Sequence, residues 1–369
     1  MQFIRASRDA ILRPLSTVAG IVERRHTLPI LANVLLRKDG DAVSFLATDV
    51  EIQIQTTASL GAGKEAGATT VSARKLIDIL RALPEGPEVS ISVANRKATI
   101  QAGKSRFALQ TLGAEEFPTV AVNEHFAASF AMAQKQLKHL VHMVHFAMAQ
   151  QDIRYYLNGL LLVTDGSLVR VVATDGHRLA YCQAEIEGES LARNEVIIPR
   201  KTVLELQRLL AESDDPVTID VATNQVRFRF GDVEMVSKLV EGKFPDYQRV
   251  IPTGYKKAMT VGREALAASL GRASILTSDK FRGVRLTLAP GALKIQTSNA
   301  EQEEAVEELE VDYASEPIEI GFNVGYLQDV LANLKTESIQ IELGDPNTSA
   351  LLTVPGDQSF RYVVMPMRI

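Results

Sequence analysis

Asp175 and His177, with Asp49 in a matching Thr-Asp pair 126 residues upstream, are the residue types that exchange protons in acid-base catalysis. Their spacing argues against that use. Alternate residues of a strand point to opposite faces, and no nucleophile motif accompanies them. His139, His142 and His145 stand at i, i+3 and i+6, a spacing that turns ligands around a helix, and no carboxylate lies in their window. Ordinary helix histidines are expected there, and no metal. Gly61-Ala62-Gly63-Lys64 lacks the spacing and the Ser or Thr of a phosphate-binding loop and reads as a turn. The single cysteine, Cys182, allows no internal disulfide, fits a reducing compartment and is expected to be a small buried apolar residue. Neither a catalytic site nor a cofactor is expected, and the competing reading is an enzyme of nucleic-acid metabolism using Asp49, Asp175 and His177.

The elements around these residues repeat. Leu157 to Ile186 reads as a hairpin of half-buried strands, turning at Asp165-Gly166 and ending at Thr174-Asp175. Ala32 to Asp49 turns at Asp39-Gly40 in the same way, and Arg282 to Ser298 turns at Pro290-Gly291. Ala73-Arg74-Lys75-Leu76 matches Pro199-Arg200-Lys201-Thr202 at the same displacement of 126 residues. Each unit closes on Phe117-Pro118, Phe244-Pro245 or Met365-Pro366. Three units fill the 369 residues, with linkers near 122–127 and 251–256, giving expected domains 1–122, 128–252 and 256–369. With 46% hydrophobic residues, each domain can bury its own core. No apolar run is long enough to span a membrane, and Arg5, Arg8 and Asp9 break up the first residues, so no signal peptide and no membrane association are expected.

A finer repeat lies inside each domain. Six times a short apolar strand, starting near Phe3, Thr70, Phe130, Ile197, Met259 and Ile320, runs into a helix and is followed by three strand-like runs. Ser7, Ser72 and Asn323 sit where helix N-caps belong. The expected fold class is α+β: three tandem domains, each with two helices packed on antiparallel sheets. Windows over the six helices together carry a net charge of +9 in a chain of −5, which leaves −14 on the remainder. Basic helices gathered on one surface would attract a phosphate backbone. On that ground alone Arg74, Arg81, Lys135, Lys138 and Lys201 are candidate phosphate contacts. The plainer alternative is that these cations solvate exposed helix faces.

The chain resembles the bacterial DNA sliding clamps, the β subunits of DNA polymerase III. The likeness rests on Thr27-Leu28-Pro29-Ile30-Leu31, on Asp152 with Arg154-Tyr155-Tyr156-Leu157-Asn158-Gly159, and on Ala173-Thr174-Asp175-Gly176-His177-Arg178-Leu179. It continues through Phe244-Pro245-Asp246-Tyr247, Lys280 to Leu286 and Tyr362-Val363-Val364-Met365-Pro366-Met367-Arg368. Segments 61–67, 123–126 and 344–349 are less like the family, and Ile369 stands where leucine is expected.

This resemblance implies a cytoplasmic, nucleoid-associated processivity factor, in which a head-to-tail homodimer closes a ring of six domains around double-stranded DNA. By the same resemblance Arg25, Gln151, Tyr155 and Tyr156 would lie near DNA. Phe107 and Leu109 of one chain would meet Ile275 and Leu276 of the other, with Lys75, Lys104 and Arg106 facing Glu301, Glu303 and Glu304. A hydrophobic pocket for short peptides of the DNA polymerase III catalytic subunit, the clamp loader, other polymerases and repair proteins would comprise Leu157, Thr174, Gly176, His177, Arg178, Leu179, Pro245, Arg249, Val250, Asn323, Tyr326, Val363, Val364, Met365, Pro366, Met367 and Arg368. Leucine, valine, proline and flexible methionine suit a groove that repacks for several partners.

Overall fold

A computed structural model describes residues 1–23, 28–188, 190–278 and 282–369. Six strand-helix-three-strand units follow one another, as the repeat implies. The first is β1 (Gln2–Ser7), α1 (Arg8–Ala19), β2 (Asn33–Asp39), β3 (Ala42–Thr48) and β4 (Ile52–Ser59). The second is β5 (Gly67–Ser72), α2 (Ala73–Ala82), β6 (Glu88–Ala94), β7 (Lys97–Ala102) and β8 (Ser105–Leu112). The third is β9 (Ala128–Ala133), α3 (Gln134–Val144), β10 (Gly159–Gly166), β11 (Leu168–Thr174) and β12 (Arg178–Glu185). The fourth is β13 (Leu191–Pro199), α4 (Arg200–Leu209), β14 (Pro216–Val221), β15 (Gln225–Phe230) and β16 (Val233–Lys238), and a single turn, α5 (Tyr247–Val250), follows it. The fifth is β17 (Lys257–Gly262), α6 (Arg263–Ala273), β18 (Gly283–Ala289), β19 (Ala292–Ser298) and β20 (Glu304–Glu310). The sixth is β21 (Ile318–Asn323), α7 (Val324–Asn333), β22 (Ser338–Leu343), β23 (Ala350–Val354) and β24 (Asp357–Val364).

Local signals explain the boundaries. The Ser7 hydroxyl accepts from the Ala10 N–H at 3.3 Å and the Asn323 side chain from the Gly325 N–H at 2.9 Å, so both cap their helices as expected. The three hairpins turn at Gly40, Gly166 and Gly291 with φ of 57°, 63° and 76°, a region that glycine enters without a Cβ clash.

The residues divide into two compact units. The first, Met1–Leu137 with Leu204–Leu239, holds one twelve-stranded sheet, in which β4 pairs with β16 across the expected linker at 122–127. The second, Lys138–Val203 with Val240–Ile369, holds an eight-stranded sheet, continuous through the β12·β24 pair, and a four-stranded sheet. Continuous hydrogen bonding across these junctions is why the compact units do not coincide with the repeat.

One expectation needs correcting. Strands β10 and β11 are buried on both faces rather than half-buried. The chain at 244–251 returns over their outer face, placing Phe244, Tyr247 and Ile251 on Leu161, Val163, Val172, Leu179 and Val363. The opposite face buries Cys182, whose thiol burial pushes up to about 12. The native protein is therefore expected to leave a thiol-disulfide reagent unreacted at pH 8 over minutes and to react promptly once unfolded in guanidinium. Absorbance of the released thiolate measures both.

Candidate functional site

The Thr-Asp pairs that suggested proton chemistry are turn locks. The Thr174 hydroxyl donates to the Arg178 carbonyl at 2.5 Å and accepts from the Gly176 N–H at 3.1 Å. Asp175 accepts from the backbone N–H groups of His177 and Arg178 at 2.9 and 3.1 Å. The same bonds recur at Thr48 and Asp49, with acceptance from Val50, Glu51 and Ile52 at 3.0, 3.0 and 2.8 Å. In the third hairpin Asn299 takes the aspartate's place, accepting from Glu301 and Glu303 at 3.1 and 2.9 Å. Asp49 and Asp175 thus repeat because a chain reversal repeats. They occupy separate units, and the exposed His177 ring stacks on Tyr326 with centroids 6.4 Å apart.

The histidine series also resolves into structure. Helix α3 ends at Val144, so His145 stands on a short 3-10 turn, where its Nδ1 meets the His142 carbonyl oxygen at 2.9 Å. His142 Nε2 lies 3.2 Å from the Asn333 carbonyl oxygen. Among the described residues no cluster of His, Cys, Asp and Glu suits a metal ion. No described helix is long and apolar enough to cross a membrane.

Around the 174–178 turn the structure gathers much of the expected pocket. Register places Thr174, Leu179 and Val363 side by side on the outer face of the eight-stranded sheet, with Tyr247 and Ile251 packed on the same cluster. Leu157 and Val364 are buried. Pro245, Arg249 and Val250 project from the covering segment; Val250 is 45% exposed and Arg249 pairs with Asp246 at 3.1 Å. The terminal segment runs along the rim. Met365 N–H donates to the His177 carbonyl at 2.9 Å and Met367 N–H to Gly321 at 2.7 Å, leaving the Met365 residue 49% exposed. Gly321 is needed here, because a Cβ would collide with the Met367 carbonyl. Asn323 and Tyr326 begin α7 beside this tail, Pro366 is half-buried and Arg368 exposed.

Arg178 braces the rim from within. Its Nε donates to Asp175 at 3.1 Å, Nη1 to Asp329 at 2.5 Å and Nη2 to the Phe146 carbonyl at 2.8 Å, while its guanidinium carbon lies 4.6 Å from the Tyr326 ring centroid. The side chain is 10% exposed. Arg178→Ala leaves these acceptors unmet and is expected to cost about 3 kcal/mol, read as a lowered midpoint in urea, with Arg178→Lys recovering only part.

Arg154 escaped the residue-by-residue reading of the pocket. It grips Asp152 through Nε at 3.0 Å and Nη2 at 2.8 Å and reaches the Asp175 carbonyl at 3.2 Å. Gly176 holds φ 90°, a conformation that residues with a Cβ rarely adopt, and a Cβ there would also displace the Arg154 guanidinium, whose Nη1 would lie 2.8 Å from it. The hydrogen bonds from Arg154 hold the Asp152 carboxyl down to about 2, so it stays charged until the pH falls towards that value. An Asp and an Arg two residues apart, ahead of a Gly-containing turn, were the signal available in the sequence.

The cationic candidates lie on three helices, α2, α3 and α4. Arg74 lies 3.9 Å from Asp78, Lys135 pairs with Asp214 at 2.6 Å, and Arg81 is exposed. Lys138 and Lys201 are half-buried and engaged in interactions of their own. Gln151 is exposed with φ 56°, Tyr155 is 57% exposed, and Tyr156 packs beside the outer cluster. Arg25 lies outside the described residues.

Among the described residues, two sheet edges carry the expected interface residues. Strand β8 pairs with β5 only through Thr111 and Leu112, so its stretch from Ser105 to Gln110 has β7 on one side and no described strand on the other. Phe107 is 38% exposed there, Leu109 is half-buried, and Lys104 and Arg106 are exposed, as is Lys75 on α2. Strand β20 has β19 as its one partner among the described residues, with Glu301, Glu303 and Glu304 exposed. Ile275, just after α6, is 76% exposed and Leu276 is half-buried.

Comparison with known proteins agrees with this layout. Three family models of the DNA polymerase III β subunit match: the N-terminal domain at residues 1–121, the central domain at 131–246 and the C-terminal domain at 248–368. The chain is 48% identical to the β sliding clamp of Pseudomonas aeruginosa and 44% identical to that of Escherichia coli, each over 98% of both chains. A crystal structure of the P. aeruginosa sliding clamp bound to griselimycin superposes with a TM-score of 0.96 at 47% identity, covering 100% of both chains. The chain belongs to the β sliding clamp family of DNA polymerase III, a non-catalytic processivity subunit.

Proposed function

We propose that two copies of this chain close head to tail into a ring that encircles duplex DNA, slides without reading sequence, and tethers its partners by short peptides. The observation that carries the reading is the pair of open sheet edges. One, at β8, is basic with an exposed Phe107; the other, at β20, is acidic and belongs with the exposed Ile275. Each edge has one side with no described strand partner, and with the exposed Phe107 and Ile275 these are surfaces that a second copy would cover, two such contacts closing a twofold ring. The repeat domains 1–122, 128–252 and 256–369 would then supply six domains to it. Arg25, Gln151, Tyr155, Tyr156 and the helix cations Arg74, Arg81, Lys135, Lys138 and Lys201 would meet phosphates through loose, sequence-independent attraction.

The groove at Leu179, Val363, Val250 and Met365 would receive peptides of the polymerase III catalytic subunit, the clamp loader and other polymerase and repair proteins in the cytoplasm. The griselimycin-bound relative supports ligand binding by clamps of this family. Small-angle X-ray scattering at micromolar concentration tests the ring. Twice the 40.4 kDa chain mass with the distance distribution of a hollow disc is expected, and a compact particle of one chain mass at every concentration would refute encirclement.

A further inference from the structure

The outer face of the eight-stranded sheet continues past the groove into a row of neighbouring side chains. Strands β12 and β24 pair Leu179 with Val363 and, two residues further, Tyr181 with Arg361, so both pairs present the same face. The Arg361 guanidinium carbon lies 5.6 Å from the Tyr181 ring centroid, and the Tyr181 ring 5.9 Å from that of Tyr247. Arg170 and Arg193, the other arginines of this face, are paired, the first with Asp165 at 3.2 Å and the second with Glu195 at 2.6 Å. Arg361 differs: it lies beside the Tyr181 ring, and among the described residues no carboxylate lies within 4.0 Å of it. It is half-buried. A guanidinium held within cation–π range of an aromatic ring, partly buried and with no described carboxylate beside it, is disposed to take one.

We propose that Arg361 reads an acidic side chain of the bound partner peptide, two residues from the apolar anchor that enters the groove between the exposed Val250 and Met365, above the buried Leu179 and Val363. This rests on the reading that the groove takes peptides. The spacing follows from strand geometry. Neighbours on one face of β24 stand about 7 Å apart, the distance between side chains i and i+2 of an extended peptide laid along them. An acidic residue at that interval meets Arg361 while its neighbour fills the groove. A peptide fits better than a nucleic acid, because the exposed side chains at the groove, Val250 and Met365, are apolar.

The test uses fluorescent synthetic peptides with two adjacent large apolar residues, and either Glu or Gln placed two residues before or after them. Anisotropy titrations against the full chain give the Glu-to-Gln affinity ratio. At low salt the Glu form is expected to bind roughly fivefold tighter in one of the two placements, and the preference to narrow as salt rises. Arg361→Ala should bring the ratio to one, with the Gln form as reference, and Arg361→Lys should restore part of it. Two results overturn the proposal: equal affinities for Glu and Gln forms in the wild type, or a preference that survives Arg361→Ala. Failure of every form to bind the wild-type chain would instead sink the peptide reading of the groove. Loss of retention on circular DNA with unchanged peptide ratios would assign Arg361 to the nucleic acid and remove it from peptide recognition.

Discussion

Deleting Met365 to Ile369 is expected to abolish stimulation of the polymerase while leaving the chain folded and its self-association unchanged. Strand β24 runs only to Val364, and its pairs with β12, from Arg178↔Val364 to Cys182↔Phe360, survive the deletion intact. The bonds lost are those of the tail itself, from Met365 to His177 and from Met367 to Gly321. What disappears is one wall of the proposed groove, including the half-exposed Met365, which would repack around different peptides. Removing a wall that encloses an apolar anchor typically costs 2 kcal/mol or more, so peptide affinity should fall at least about thirtyfold. Primer extension on a long single-stranded template measures processivity, and scattering mass reports the assembly alongside it. Full stimulation by the truncated chain would place the partner site elsewhere.

How much could be seen beforehand depended on the range of the interaction. Strand, cap and turn signals are local, so the six units, the caps at Ser7 and Asn323 and the glycine turns were legible. The apolar alternation of β10 and β11 was visible too, but the cover over their outer face comes from Phe244 and Tyr247, about 80 residues away, and no local pattern announces that. Asp49 and Asp175 are ambiguous in sequence for the opposite reason: a short-range turn device uses the same residue type as acid-base chemistry, and the hydrogen bonds tell them apart. The pocket residues came from family resemblance. Their chemistry alone would have assigned Leu179 and Val363 to core, which they also are, at 2% and 1% exposure. The openness of β8 and β20 could not be read, because an edge strand and an inner strand share one periodicity.

Ile275→Ala combined with Leu276→Ala is expected to yield a monomer at micromolar concentration. Ile275 is 76% exposed, and the short turn carrying it makes no strand pair, so its apolar surface has no function inside the folded chain that the substitution would remove. Six carbons are deleted from the contact. At about 0.8 kcal/mol per buried methylene this would take up to about 5 kcal/mol from each of the two interfaces of the proposed ring. Incomplete burial at the rim reduces that figure, yet even half of it weakens each interface by more than about fiftyfold. Charge attraction between Lys104 or Arg106 and Glu301, Glu303 or Glu304 would not replace it, since exposed ion pairs contribute only about 0–1 kcal/mol and fade with salt. The variant should retain its circular dichroism spectrum and melt within about 2 °C of the parent monomer unit, as surface truncations do. Light scattering across a dilution series, with the parent chain alongside, decides the matter. A variant that keeps two-chain mass throughout would show that the apolar turn after α6 lies outside the contact, and the acidic and basic edges alone would then have to account for association.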